Sequence, residues 1–140
     1  MNPAARPHRL ILLVLALLLA AHGAAHFVAV ARMIRSMSLN VPIELFGGVV
    51  VTSSWTVAML LSLALAAAGT GFLIAARLLV GREPTVGPQL AVFASLSLVL
   101  TVVGLWATTA GVLVNLTVLT VVPGMCRLVK AQPSARSVFY

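Results

Sequence analysis

Two histidines and an asparagine are the residues of this sequence whose types and spacing could do chemistry. His22 and His26 stand four residues apart in an apolar run, so on a helix they share one face. Asn115 lies in another apolar run. Three interpretations stay open. The side chains tie helices together, they form a site for a quinone-like or other lipophilic ligand or a partner subunit, or they ligate metal or haem.

The metal interpretation has few ligands to draw on. Histidines at i and i+4 can hold one metal ion, but a third ligand is needed. No carboxylate or cysteine is placed to supply it, and His22 and His26 cannot ligate one haem axially because they emerge from the same side of the helix. Cys126 is the single cysteine, which excludes an intrachain disulfide. We therefore predict no metal site, with the two histidines as weak candidates, and no cofactor is identified.

The composition predicts an integral membrane protein. Of 140 residues, 61% are hydrophobic and 8% charged, whereas soluble domains carry about 25% charged residues. So few charges cannot coat a globule in water. The net charge of +7 does not indicate nucleic acid, because the basic residues are scattered at the ends of apolar runs, where orientation charges belong.

Four apolar stretches predict a single membrane domain built as a four-helix bundle. They are Leu10–Met33, Trp55–Leu79, Leu90–Trp106 and Gly111–Lys130. About 20 apolar residues are needed to cross the hydrocarbon core. The last two stretches share one uncharged run of 33 residues, which is too long for one crossing and is therefore divided by a turn at 106–111.

The basic residues predict that both termini are cytoplasmic. The side that holds both termini and the Gly81–Pro88 loop carries seven of them, whereas the opposite side carries only Arg32 and Arg35. Trp55 and Trp106 fall at the outer helix ends, as interfacial anchors do. The seven are Arg6, Arg9, Arg77, Arg82, Arg127, Lys130 and Arg136.

A cleaved signal peptide is the alternative for the first helix. Arg6–Arg9 and Leu10–Ala21 read as its charged and apolar parts, with a cleavage site at Gly23–Ala25. The apolar pattern continues through Phe27–Ala31, however, which gives a run of spanning length. We favour an uncleaved helix.

The segment 34–54 is predicted to be an outer loop. Its apolar part could lie along the membrane surface or be an early start of the second helix. Thr52, Ser53 and Ser54 are candidate N-caps before Trp55.

The candidate site is predicted below the outer surface. At about 1.5 Å per residue, His22 and His26 lie about 18 and 24 Å from the inner boundary, and Asn115 lies about 6 Å below the outer one. Arg32, beyond the end of the first helix, could contact an anion or headgroup, and Trp106 completes the candidate ligand-binding set.

The order of these residues resembles the small, mostly uncharacterised bacterial four-helix membrane proteins described as DoxX-like. The resemblance rests on His22-Gly-Ala-Ala-His26, Pro42-Ile43, Trp106, Gly111 and Asn115, and it spans nearly the whole chain. It implies a four-helix bundle in the bacterial inner membrane, loosely associated with quinone or thiol redox systems. It implies no established reaction.

The sequence therefore predicts a multi-pass inner-membrane protein, more readily a non-enzyme than an enzyme, acting as a small subunit or a lipophilic-ligand binder. A redox-associated protein that binds quinone or metal near His22 and His26 is the alternative, and a small transporter is third. No Asp or Glu lies in a predicted span, although a proton-coupled exporter needs one. Membrane lipid is the expected partner, with another subunit or a homo-oligomer as further options.

Overall fold

The computed structural model describes residues 6–45, 50–83, 85–102 and 109–130. These residues form four helices and a small hairpin, and the predominantly helical class predicted from the sequence is confirmed. The elements are α1 (Arg6–Ser38), β1 (Ile43–Leu45), β2 (Val50–Thr52), α2 (Trp55–Gly81), α3 (Val86–Val102) and α4 (Thr109–Lys130).

The first helix is longer than the predicted range Leu10–Met33 and takes in the first residues of the expected outer loop. Polar residues after Met33 end the apolar run, but they are compatible with a helix. Hydropathy alone therefore underestimates the length of α1. The chain leaves the helix at Asn40, whose φ of 54° is left-handed. Asparagine tolerates this conformation better than most residues, which suits it to a helix C-terminus.

Two short antiparallel strands, β1 and β2, lie between α1 and α2 in the expected outer loop, and α2 begins only at Trp55, so the alternative of an early start of the second helix is wrong. The antiparallel strands place Ile43 opposite Thr52, and β-branched residues favour such pairing. The second helix begins at Trp55 because Ser54 caps it. The Ser54 hydroxyl accepts a hydrogen bond from the Val57 N–H at 3.5 Å.

The connection between α2 and α3 is shorter than the predicted loop Gly81–Pro88. Arg82, with a φ of 58°, ends α2 in the left-handed conformation, and α3 already begins at Val86 rather than at Leu90. Pro88 lies in the first turn of α3, where the backbone N–H has no intrahelical partner and proline is tolerated. Gly87 and Pro88, which are typical turn residues, therefore lie in the first turn of α3.

The boundary between the last two helices also differs from the predicted turn at 106–111. The structure has α4 helical from Thr109, two residues before the predicted start at Gly111, and describes α3 as far as Val102. Trp106 lies outside the described residues. Residues 106–108 of the predicted turn also lie outside the described residues, whereas residues 109–111 belong to α4 rather than to a turn.

Two apolar clusters set the directions of the helices. In the first cluster, Ala16 and Leu19 of α1 pack with the second half of α2 and the start of α3. In the second cluster, the end of α1 packs with the first half of α2 and with Leu100 of α3. Helices α1 and α2 are therefore antiparallel, and α3 runs in the same direction as α1. Helix α4 packs chiefly against α3.

The outward surface of the helices is apolar. Large side chains such as Leu17, Leu60 and Val92 are more than half exposed, although soluble monomers rarely expose extended apolar patches. In the part of the chain that the structure describes, two helices are long and apolar enough to cross a membrane, Leu10–Ser38 within α1 and Trp55–Gly81. The shorter apolar segments are Val86–Val102 and Val112–Val121.

The backbones of α1 and α2 approach closely where Gly23 faces Gly69. A Cβ atom added to Gly23 would lie 2.8 Å from the Gly69 carbonyl oxygen, and one added to Gly69 would lie 2.9 Å from the Gly23 carbonyl oxygen. Both obstacles are backbone atoms, which cannot move without shifting a helix. Small residues at such contacts allow helices to pack tightly.

We expect Gly23→Ala to destabilise the protein by about 1–3 kcal/mol, because the new methyl group forces the two helices apart. Thermal unfolding of the full chain in mild detergent measures the effect. Gly124→Ala is the matched control, since a Cβ there meets nothing within 4 Å and alanine is the better helix former. Equal stability of the two variants would contradict the tight crossing.

Candidate functional site

The helix crossing places both histidines against one phenylalanine of α2. His22 and His26 flank Gly23 on α1, and Phe72 is fully buried three residues beyond Gly69. The His22 ring meets Phe72 edge-on with the centroids 4.7 Å apart, and the His26 ring stacks parallel to Phe72 at 5.9 Å. Edge-to-face and stacked geometries are favourable for aromatic rings. Phe72 therefore orients both imidazoles.

The two imidazoles also contact each other. Their centroids are 5.1 Å apart and the ring planes are inclined by 80°. Residues at i and i+4 on a helix come this close by construction. The predicted pairing of the histidines is thus present in the structure, together with an aromatic partner that lies far from them in sequence.

Hydrogen bonds connect the histidines to α3 and α4. The His22 Nε2 atom lies 3.2 Å from the Asn115 Oδ1 atom, and the His26 Nε2 atom lies 2.9 Å from the Ser97 Oγ atom. Asn115 and Ser97 have no exposed surface. Because buried polar groups cost free energy unless they are paired, these bonds fix the position of α1 relative to α3 and α4.

The direction of the hydrogen bonds follows from Thr101. Its hydroxyl donates to the Ser97 carbonyl oxygen at 2.7 Å, so its oxygen can only accept from the Asn115 Nδ2 atom, 3.5 Å away. The Asn115 amide oxygen is therefore the atom that faces His22, and it accepts from the His22 Nε2–H. A neutral imidazole with its proton on Nε2 carries its lone pair on Nδ1.

This polar network lies between the two apolar clusters. Phe72 of the first cluster touches both histidine rings, and Leu100 of the second cluster lies between Ser97 and Thr101 in α3. A buried polar layer enclosed by apolar packing specifies helix register, because any shift leaves unpaired polar atoms. Together with the Phe72 ring contacts, the network includes residues from all four helices.

A groove opens beside the network, between α1 and α4. Its volume is about 440 Å³, which is within the range of about 300–1,000 Å³ found for small-molecule sites. His22 and Thr117 are the polar residues among the described ones that line it. The remaining lining is aliphatic: Leu15, Leu18, Leu19, Leu90, Leu113, Val114, Val118 and Val121.

The predicted site residues are only partly brought together. His22, His26 and Asn115 meet in one network. Arg32 is exposed and lines a different depression of about 400 Å³, beside Arg35, Glu44 and the hairpin. Trp106 lies outside the described residues, so its part in the site stays a prediction.

Sequence reasoning missed Ser97, Thr101 and Phe72, and it gave Thr117 no part in the site. Ser97 and Thr101 stand four residues apart in α3 and so share a helix face, as the histidines do. That spacing was a usable signal, but small hydroxyl residues are common in apolar helices and bond to their own backbone. Phe72 carries no such signal, because only the helix crossing brings it to the histidines.

For the metal interpretation, the described residues offer two candidate ligands, His22 and His26. In the part of the chain that the structure describes, no three His, Cys, Asp or Glu side chains come together. Both His Nε2 atoms are hydrogen-bonded to protein groups. A metal at this place would therefore need ligands from outside the described residues.

Comparison with known proteins assigns no relative to the chain. No family model, no curated protein and no solved structure matches it. The likeness to DoxX-like proteins therefore stays a prediction.

The hydrogen bond between His22 and Asn115 predicts energetic coupling. In a double-mutant cycle with His22→Phe and Asn115→Leu, we expect the second change to cost less once the first is made, with a coupling of about 0.5–1.5 kcal/mol. Unfolding of the four proteins in detergent measures it.

Thr120→Val in place of Asn115→Leu is the control cycle. The Thr120 hydroxyl is exposed and donates to the Thr117 carbonyl of its own helix, so its effect should add to that of His22→Phe within about 0.3–0.5 kcal/mol. Additivity in both cycles would mean that the His22–Asn115 bond does not form.

Proposed function

We propose that this chain is a four-span protein of the bacterial inner membrane that binds a lipophilic small molecule in the groove between α1 and α4. The groove is the observation that carries the proposal. Its lining is aliphatic, as lipid-soluble molecules require, and the oriented His22 ring provides a polar contact at the wall. Sites of this kind combine a mostly apolar surface with a few fixed polar groups.

The low burial of the two long apolar helices supports the membrane assignment. Only 22% of the apolar window in α1 and 39% of that in α2 are buried inside the protein. The core helix of a soluble protein, which passes the same test of length and hydropathy, would be mostly buried. An exposed apolar surface of this extent suits lipid as the solvent.

The packing of α1 supports its retention as part of the protein. A signal peptide makes no lasting contacts with the mature chain, whereas α1 forms the tight crossing at Gly23 and supplies both histidines of the network. Its helix also runs without a break past Gly23–Ala25. These contacts favour an uncleaved first span.

The directions of the helices support four crossings with both termini on one side. The hairpin lies at one end of the α1–α2 pair, and the connection at Arg82 lies at the other. α3 and α4 are shorter, and they run in opposite directions: Asn115 bonds to Thr101 near the end of α3, whereas Val118 and Leu119 pack against the first cluster at its start. The excess of Arg and Lys at the Arg82 end makes that end cytoplasmic.

Cysteine labelling tests the topology. In a Cys126→Ser background, we expect Ser53→Cys beside the hairpin to react with a membrane-impermeant maleimide on intact spheroplasts. Thr85→Cys, in the α2–α3 connection, should react only after permeabilisation. Both positions are exposed in the folded chain. A reversed pattern would overturn the orientation, and labelling of both positions from the same side would overturn the crossing of α2.

Filling the groove tests ligand binding. Leu18→Trp places a larger side chain at the wall of the groove, and we expect it to lower labelling of α4 by a photoreactive diazirine-bearing hexadecanol about tenfold. Peptide mapping after illumination of membranes containing the full chain gives the readout. A tenfold loss corresponds to about 1.4 kcal/mol of binding free energy.

Leu63→Trp is the matched control. Leu63 is 62% exposed and Leu18 is 61% exposed, but Leu63 does not line the groove. It should leave labelling of α4 unchanged. If both variants label like the wild type, lipid is reaching α4 without entering the groove, and the binding function is refuted. If wild-type α4 is instead protected by a second protein chain, the groove is a subunit contact.

A further inference from the structure

The hydrogen-bonding character of the groove selects among lipophilic molecules. Resting on the proposed function, we propose that the groove binds a neutral lipid whose polar end is a hydroxyl group, and that this hydroxyl donates to His22 Nδ1 or to Thr117 Oγ1. Among the described residues that line the groove, the two polar side chains, His22 and Thr117, are set up to accept hydrogen bonds, because each already donates its own proton within the protein.

The His22 ring is set as an acceptor by the network behind it. The amide nitrogen of Asn115 donates to the Thr101 hydroxyl oxygen. The amide oxygen of Asn115 therefore faces His22 and accepts a hydrogen bond from its Nε2–H. The remaining ring nitrogen, Nδ1, has a lone pair and no proton. Within the described residues, no protein group bonds to that nitrogen. A ligand donor is the partner that it lacks.

Thr117 is an acceptor for the same kind of reason. Its hydroxyl donates to the Leu113 carbonyl oxygen at 2.7 Å, so the single hydroxyl proton is directed along its own helix. Its oxygen keeps lone pairs for another donor. The two lining groups thus present the same polarity on the two walls of the groove, His22 from α1 and Thr117 from α4.

The lining also selects against charged headgroups. Among the described residues that line the groove there is no Asp, Glu, Lys or Arg, so a phosphate or a carboxylate bound against them would be buried without a counter-charge, which is costly. A carbonyl or ether oxygen would face two acceptors and gain no hydrogen bond. A neutral hydroxyl supplies the missing proton and carries no charge. An aliphatic alcohol and a phenolic hydroxyl both satisfy this chemistry.

Competition between matched lipids tests the inference. Unlabelled hexadecanol, hexadecyl methyl ether and 2-octadecanone compete with the photoreactive hexadecanol in membranes that contain the full chain. We expect hexadecanol to compete at about tenfold lower concentration than the ether or the ketone, because only the alcohol donates a proton. A phenol with the same alkyl chain, run alongside, distinguishes a phenolic source from an aliphatic one.

Thr117→Val provides the site-specific arm. It replaces a hydroxyl by a methyl group at an exposed position, so folding should be retained. We expect the preference for the alcohol over the ether to fall about threefold. Thr120→Val, on the same helix and outside the groove lining, should leave the preference unchanged. His22→Phe, which keeps an aromatic ring, should abolish most of the preference.

The outcomes separate the inference from the function on which it rests. If the ether competes as well as the alcohol while Leu18→Trp still blocks labelling, the groove binds lipid but the hydroxyl inference is wrong. If the ketone competes best, His22 presents a donor and the network runs in the opposite direction. If no lipid competes and Leu18→Trp has no effect, the binding function itself fails.

Discussion

The close approach of α1 and α2 at Gly23 and Gly69 is the constraint on which the rest of the structure depends. With carbonyl oxygens in the place that a Cβ would occupy, the two helices meet backbone to backbone. Only at this separation do side chains on either side of Gly23 reach Phe72. Close packing between small residues is also the means by which helices associate where the hydrophobic effect is weak.

The polar network converts this crossing into a defined bundle. Aliphatic packing alone tolerates many similar arrangements, since apolar side chains of the right size are interchangeable. Buried hydrogen bonds do not tolerate this, because a slip of one helix leaves a donor or an acceptor without its partner. His22 reaches Asn115, and His26 reaches Ser97. The histidines therefore join α1 to the two helices that it packs against least.

The sequence was sufficient to predict the helical class and the meeting of His22, His26 and Asn115 in the candidate site. His22 and His26 could be paired because helix periodicity is fixed, and Asn115 could be matched to their level because helix rise is fixed. The helix ends were harder. Pro88 reads as a loop residue although it lies in the first turn of α3, and Asn40 ends α1 well past the end of its apolar run.

Tertiary partners could not be predicted in the same way. Ser97 and Thr101 belong to a type of residue that occurs throughout apolar helices, and Phe72 is one apolar side chain among many. What makes them part of the site is the rotation of each helix about its axis, which depends on contacts between helices. The sequence of one helix does not specify that rotation. The tight crossing and the two clusters do.

The structural and the binding interpretations of the histidines are compatible, because each imidazole has two nitrogens. One nitrogen of His22 holds α4 in place through Asn115. That bond decides which tautomer the ring adopts, and the tautomer decides what the second nitrogen can offer. The groove lies between α1 and α4, two helices that pack little against each other and that this hydrogen bond connects. The bond that joins α1 to α4 therefore also determines which hydrogen-bonding role the second nitrogen of His22 can take.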